Sequence, residues 1–130
     1  MLDTYLGQVL LVGLGGFVGS SARFVVGGLV HRLAPFGTFP YGTLTVNVLG
    51  CLAIGFLGGM ADLKQVLGAG QRAFLLIGVL GGVTTFSTFA YESFGLAQDS
   101  DMAKAAANVV LHVAAGFGAA WLGYLGARFL

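Results

Sequence analysis

Charged positions are rare along this chain, and their spacing is what organises it. The 6 basic and 5 acidic residues leave uncharged runs at 4–22, 33–61, 73–91 and 105–127. Each run has at least 19 residues, against the roughly 20 that a helix needs to cross a bilayer core. The pattern predicts four transmembrane helices at about 4–30, 43–61, 73–97 and 104–128, forming one domain over 1–130. The first is expected to continue past Arg23 to about Val30. Pro35 and Pro40 fall in the first connection, where the chain must turn. The second connection (Asp62–Arg72) and the third (about Gln98–Lys104) are short and polar.

Composition strengthens this reading. The 130 residues are 57% hydrophobic and 8% charged, and 23 of them are glycine, where a soluble domain carries roughly 25% charged residues. So small a volume cannot hide so much apolar surface, so the bilayer must be the solvent. The formal net charge of +1 comes without a basic stripe, which argues against nucleic acid. A single cysteine, Cys51, excludes an internal disulfide and a multi-cysteine metal site, and reads as a small packing residue. The first hydrophobic run lacks the basic start and small-residue cleavage site of a signal peptide, so a retained span is expected.

Small residues recur at intervals of four: Gly15 and Gly19, Gly55 and Gly59, then Ala119, Gly123 and Ala127. In lipid this interval lets helix backbones approach closely. Four helices enclose little by themselves, so a homo-oligomer is expected. With four spans, Lys64, Arg72 and Arg128 fall on one side of the membrane and Arg23, Arg32 and Lys104 towards the other. That balance gives almost no positive-inside bias. A chain without a preferred orientation can insert both ways and pair as an antiparallel dimer with its two-fold axis in the membrane plane.

The stretch Gly81-Gly82-Val83-Thr84-Thr85-Phe86-Ser87-Thr88-Phe89 departs most from an ordinary anchor. A glycine pair weakens a helix, and any carbonyl freed within a bilayer needs a partner. A broken third helix is expected, with a polar, aromatic-lined path beside it. Thr85, Thr88 and Glu92 form a polar stripe at helical spacing, and Phe86 and Phe89 an adjacent aromatic one. In helix two, Thr43 and Asn47 share a face; in helix four, Asn108, His112 and Gly116 do. Polar groups inside spans are costly and tend to be functional.

Each of these has a plainer reading. Asn47 and His112 are candidates for simple hydrogen bonds between helices, the phenylalanines for lipid contact, and Arg23 for snorkelling to the interface. Taken together, amide and hydroxyl donors with aromatic ring edges fit a narrow pathway for a small dehydrated anion. Arg23 would set a positive potential at its mouth. The spans carry no nucleophile–histidine–carboxylate set, no paired carboxylates and no clustered metal ligands, and the glycine-rich stretch lacks the lysine of a phosphate loop. Nothing argues for an enzyme.

Three blocks of this sequence resemble one family. They are Gly15-Gly16-Phe17-Val18-Gly19-Ser20-Ser21-Ala22-Arg23-Phe24, Tyr41-Gly42-Thr43-Leu44-Thr45-Val46-Asn47-Val48-Leu49-Gly50, and the run from Gly78 to Phe89 followed by Glu92. In that order they are similar to the small fluoride channels called Fluc or CrcB. The resemblance implies an all-α, dual-topology antiparallel homodimer with two pores in the bacterial cytoplasmic (inner) membrane. It implies passive export of fluoride from the cytoplasm, which relieves fluoride toxicity. It also implies a central structural sodium ion, not transported, held by carbonyls at Gly81 and Thr84 of both subunits. On the same basis Phe86 and Phe89 match the phenylalanine box, Asn47 the pore asparagine and Arg23 the vestibule arginine. Thr43 and Glu92 match a threonine and a carboxylate of the ion path, with Ser87 and Thr88 alongside. Helix four departs from the pattern: Asn108 and His112 stand where many members carry tyrosine and serine, and Gly116 brings no side chain to a further position of the polar track.

The alternative, a small multidrug-type proton-coupled exporter, is also built from four helices and is often dual in topology. It requires a carboxylate in the middle of helix one, and residues 4–22 contain none. Glu92 falls too near the end of helix three to substitute.

Overall fold

The computed structural model describes the backbone of residues 2–35 and 37–130 and the side chains of residues 4–35 and 37–130. All regular structure among the described residues is helical, with no strand among them. Helix α1 covers Leu2–Leu33 and α2 covers Tyr41–Leu63. Helix α3 begins as Ala69–Arg72, continues as a π-helix over Ala73–Leu80 and closes with the turn Gly81–Val83. After two extended residues come α4 (Phe86–Gln98) and α5 (Met102–Phe129). The segment Ala69–Gln98 has the length and hydropathy of one span, so α3 and α4 together form the third of four membrane-crossing segments.

The helices outrun the predicted spans by up to four residues at their ends. Charge marks where hydrocarbon stops, whereas a helix continues into the headgroup layer. At about 48 Å, the 32-residue α1 exceeds a hydrocarbon core of about 30 Å. Arg23 is therefore inside the helix, and His31 and Arg32 occupy its last turn, where cations complement the helix dipole.

Connections are short and locally determined. Pro40 starts α2 without a side-chain cap, a position where its missing N–H costs nothing. Arg72 ties the second connection, donating to the Ala61 carbonyl (2.6 Å) and pairing with Asp62 (3.2 Å). At the end of α4, Ser100 takes a left-handed φ of 62°. The Asp101 N–H then reaches the Leu96 carbonyl (3.0 Å) and the Ser100 N–H the Ala97 carbonyl (3.2 Å), a helix stop that satisfies otherwise orphaned carbonyls. Asp101 restarts the chain as N-cap of α5, accepting from the Lys104 N–H (3.2 Å).

Packing runs through the small residues. α1 lies mainly on the π-helical segment and α2 mainly on α5. A Cβ on Gly15 would overlap the Phe74 carbonyl oxygen, and one on Gly19 the Val79 carbonyl oxygen. Between α2 and α5, Gly55 faces the Ala120 carbonyl and Gly123 the Leu52 carbonyl just as closely. The expected small-residue faces are therefore where backbone meets backbone. Large apolar residues such as Leu10, Phe17, Phe24, Phe117 and Trp121 point outward. No span has more than 22% of its most apolar window buried within the chain, as suits helices that face lipid or a second copy.

Candidate functional site

The third span changes course at two residues. Thr84 (φ −83°, ψ 150°) and Thr85 (φ −148°, ψ 117°) are extended between the turn Gly81–Val83 and α4. Asn47 of α2 fills the gap left in the helical ladder. Its Nδ2 donates to the Thr85 carbonyl (3.0 Å), and its Oδ1 accepts from the Thr85 N–H (2.7 Å). The Thr85 hydroxyl caps α4 by accepting from the Thr88 N–H (3.2 Å) and is 3.0 Å from the Thr88 hydroxyl. Ser87 joins the same cluster at 3.4 Å.

These bonds redirect two donors. In an unbroken α-helix the Thr85 N–H would serve the Gly81 carbonyl, and the Thr88 N–H the Thr84 carbonyl. Here the first goes to Asn47 and the second to the Thr85 side chain. The carbonyls of Gly81 and Thr84 therefore lose their helical partners. Such hard oxygen atoms are the donors that a small hard cation takes.

The polar and aromatic stripes of α4 open onto different cavities, because residues one apart on a helix diverge by about 100°. One cavity, about 350 Å³, is lined by Asn47, Cys51, Phe86, Phe89, His112 and Gly116. A second, about 440 Å³, is lined by Arg23, Thr43, Thr85 and Thr88. Thr85 borders both, with the Asn47 pairing between them. A third, about 210 Å³, holds Thr43, Glu92 and His31. There the Thr43 hydroxyl donates to Glu92 Oε1 at 2.6 Å, while Glu92 Oε2 is buried without a partner. The single path expected from the sequence is thus divided, within one chain, into an aromatic cavity and a hydroxyl-and-charge cavity.

Phe86 and Phe89 lie 5.5 Å apart between centroids with planes inclined 59°, a tilted pairing close to the edge-to-face arrangement that aromatic rings prefer. Phe89 is 9% exposed and Phe86 is 80% exposed: one ring is embedded, the other stands at the surface of the chain. The His112 ring packs on Phe89 at 4.4 Å, and its Nδ1 is 3.0 Å from the Asn108 carbonyl oxygen.

Asn108 is placed differently from the other pathway candidates. It is fully buried between α4 and α5, with Nδ2 donating to the Ser93 hydroxyl (2.9 Å), which itself donates to the Phe89 carbonyl (2.8 Å). It borders none of the three cavities just described. Ser93 and Thr85 are the positions whose roles the sequence reading missed. Ser93 had one signal, since a buried amide on α5 needs a hydroxyl on the facing helix. Cys51, expected to be a packing residue, lines the aromatic cavity opposite Gly116.

Residues 10–124 match the family described as CrcB-like protein, Camphor Resistance (CrcB). A protein of Methylobacillus flagellatus named fluoride-specific ion channel FluC is 43% identical over 117 residues, covering 90% of this chain and 91% of the relative. One of the same name from Nitratidesulfovibrio vulgaris is 44% identical over 116 residues, covering 89% and 93%. The fluoride-specific ion channel FluC 3 of Methanosarcina barkeri is 42% identical over 115 residues, covering 88% and 86%. With matches of this extent, and four apolar helices able to cross a membrane, the chain belongs to the CrcB family.

Proposed function

We propose that this multi-pass membrane protein is a fluoride-selective channel, which lets fluoride leave the cytoplasm down its electrochemical gradient and so relieves fluoride toxicity. The observation that carries the reading is the donor-lined aromatic cavity at the interrupted third span, where Asn47, Phe86 and Phe89 meet. Relatives at 42–44% identity bear the name of fluoride channels. Nothing about the site favours a proton-coupled exporter.

The chemistry follows from the parts. Asn47 uses one amide hydrogen on Thr85, so a second hydrogen is available to an anion. Phe86 opens α4, so its ring sits at the positive end of that helix dipole, which favours negative charge. Ring edges attract a dehydrated anion weakly, and weak sites in series allow both entry and exit. Arg23, in the cavity with Thr43 and Thr88, supplies positive potential at the approach. Thr43, Glu92, Ser87 and Thr88 extend the polar route. His112 contributes at the aromatic cavity, and Asn108 supports it through its backbone carbonyl.

The working form is an antiparallel homodimer in the bacterial cytoplasmic membrane, with the exposed Phe86 completing a pathway against the second copy. A structural sodium ion at the junction of the two copies, not transported, suits the carbonyls of Gly81 and Thr84, both of which lack their helical donors. When bound, it would supply fixed positive charge. The chain's own part is to hold those carbonyls in place through the Asn47–Thr85 pairing.

The test is anion efflux from liposomes under a valinomycin-set potassium potential, comparing fluoride with chloride. Rapid fluoride flux with negligible chloride flux is expected, lost in Phe86→Ile and in Asn47→Ala. A well-folded protein that passes no fluoride overturns the channel.

A further inference from the structure

The aromatic cavity contains two titratable side chains among the described residues, Cys51 and His112. The histidine is held in a single sense. Its Nδ1 faces the Asn108 carbonyl oxygen at 3.0 Å, and a carbonyl only accepts, so Nδ1 carries the hydrogen. The ring is further fixed by stacking on Phe89, inclined by 38°. Its other nitrogen, Nε2, is buried and has no protein partner.

That arrangement gives Nε2 two opposite characters. In the neutral ring it is a bare lone pair, an acceptor that repels an anion. In the imidazolium it is a charged N–H donor. We propose that Nε2 of His112 is a proton-dependent fluoride ligand, so that passage through this chain rises as the imidazole takes up a proton from solution. The inference rests on the channel reading and specifies how that same site is regulated.

Charges around the ring are few. From α2 it is faced by the Cys51 thiol across the cavity. From α4 the ionisable side chain on this side of the bundle is Glu92, whose Oε2 is buried without a partner. Residues 73–85 hold no titratable side chain. Arg23 and His31 of α1 line the separate hydroxyl cavities. A hydroxyl side chain at this position would donate at any pH, whereas histidine makes donation conditional.

The experiment is fluoride efflux at one fixed voltage, with equal pH on both faces, between about pH 5.5 and 8, where imidazole changes charge. Flux through protein-free liposomes is subtracted at each pH to remove leakage of the neutral acid. The expected result is a fall of roughly tenfold from the acid to the alkaline end, the difference made by one charged hydrogen bond. His112→Gln and His112→Asn, which present an amide that does not titrate, should give flat profiles. A wild-type chain that conducts fluoride equally across the range overturns the inference and leaves the channel standing, as does an acid dependence that survives in both amide variants. Absence of fluoride flux at every pH in folded protein removes the channel reading, and this inference with it.

Discussion

Asn47 makes two hydrogen bonds to the backbone of one residue, and that residue is where the third span leaves helical geometry. Its Oδ1 takes the Thr85 N–H that leaves the helical ladder, and its Nδ2 adds a donor to the Thr85 carbonyl, where a bilayer offers no water. Asn47→Asp keeps the shape, but its carboxylate cannot donate to the Thr85 carbonyl and adds negative charge beside an anion path. The expected outcome is loss of fluoride flux together with a destabilisation of about 1–3 kcal/mol, the usual cost of stranding a buried polar group. Efflux and thermal unfolding of the same detergent-purified sample check both parts. The sequence exposes Asn47 as a polar residue in a span. It does not reveal that the amide serves a backbone 38 residues away.

Helix contacts depend on what glycine omits. On α5, a side chain at Gly123 would overlap the Leu52 carbonyl and reach to 2.8 Å from the Phe56 nitrogen, whereas one at Gly126 would meet only the Phe56 ring at 3.5 Å. Gly123→Val should therefore push α2 and α5 apart at a cost of about 1–3 kcal/mol, while Gly126→Ala stays within about 0.5 kcal/mol of the parent. Unfolding midpoints of the two variants check the contrast.

At the start of α5, bonds from the Lys104 side chain and backbone hold the Asp101 carboxyl below the usual carboxylate range. A depressed pKa means that this contribution is present above about pH 4, the unfolded value, and is lost as pH falls through the folded one. Asp101→Asn should unfold earlier than the parent at pH 7, and the gap should close under acid; a constant gap from pH 7 to 3 would assign the effect to something other than charge.

For the molecule as a whole, three cations on each side leave insertion undecided. A C-terminal reporter is expected on both faces of the membrane in comparable amounts. A reporter confined to one face would rule out dual insertion. The same balance suits a dimer in which each copy covers the other's exposed Phe86.

Apolar run length alone set the four spans, because crossing hydrocarbon imposes one length and one composition on any helix. The spacing of small residues marked the close helix faces for a similarly local reason. The aromatic and hydroxyl residues of the third span were legible as chemistry because polar side chains in lipid are too costly to be incidental. Only the tertiary structure decided how those residues divide. It set Phe86 and Phe89 in one cavity and Thr43, Thr88 and Arg23 in another, buried Asn108 against Ser93, and left one nitrogen of His112 unpartnered. Partners far apart in sequence meet only when helices pack, and a helix pattern specifies a face without naming what lies opposite it.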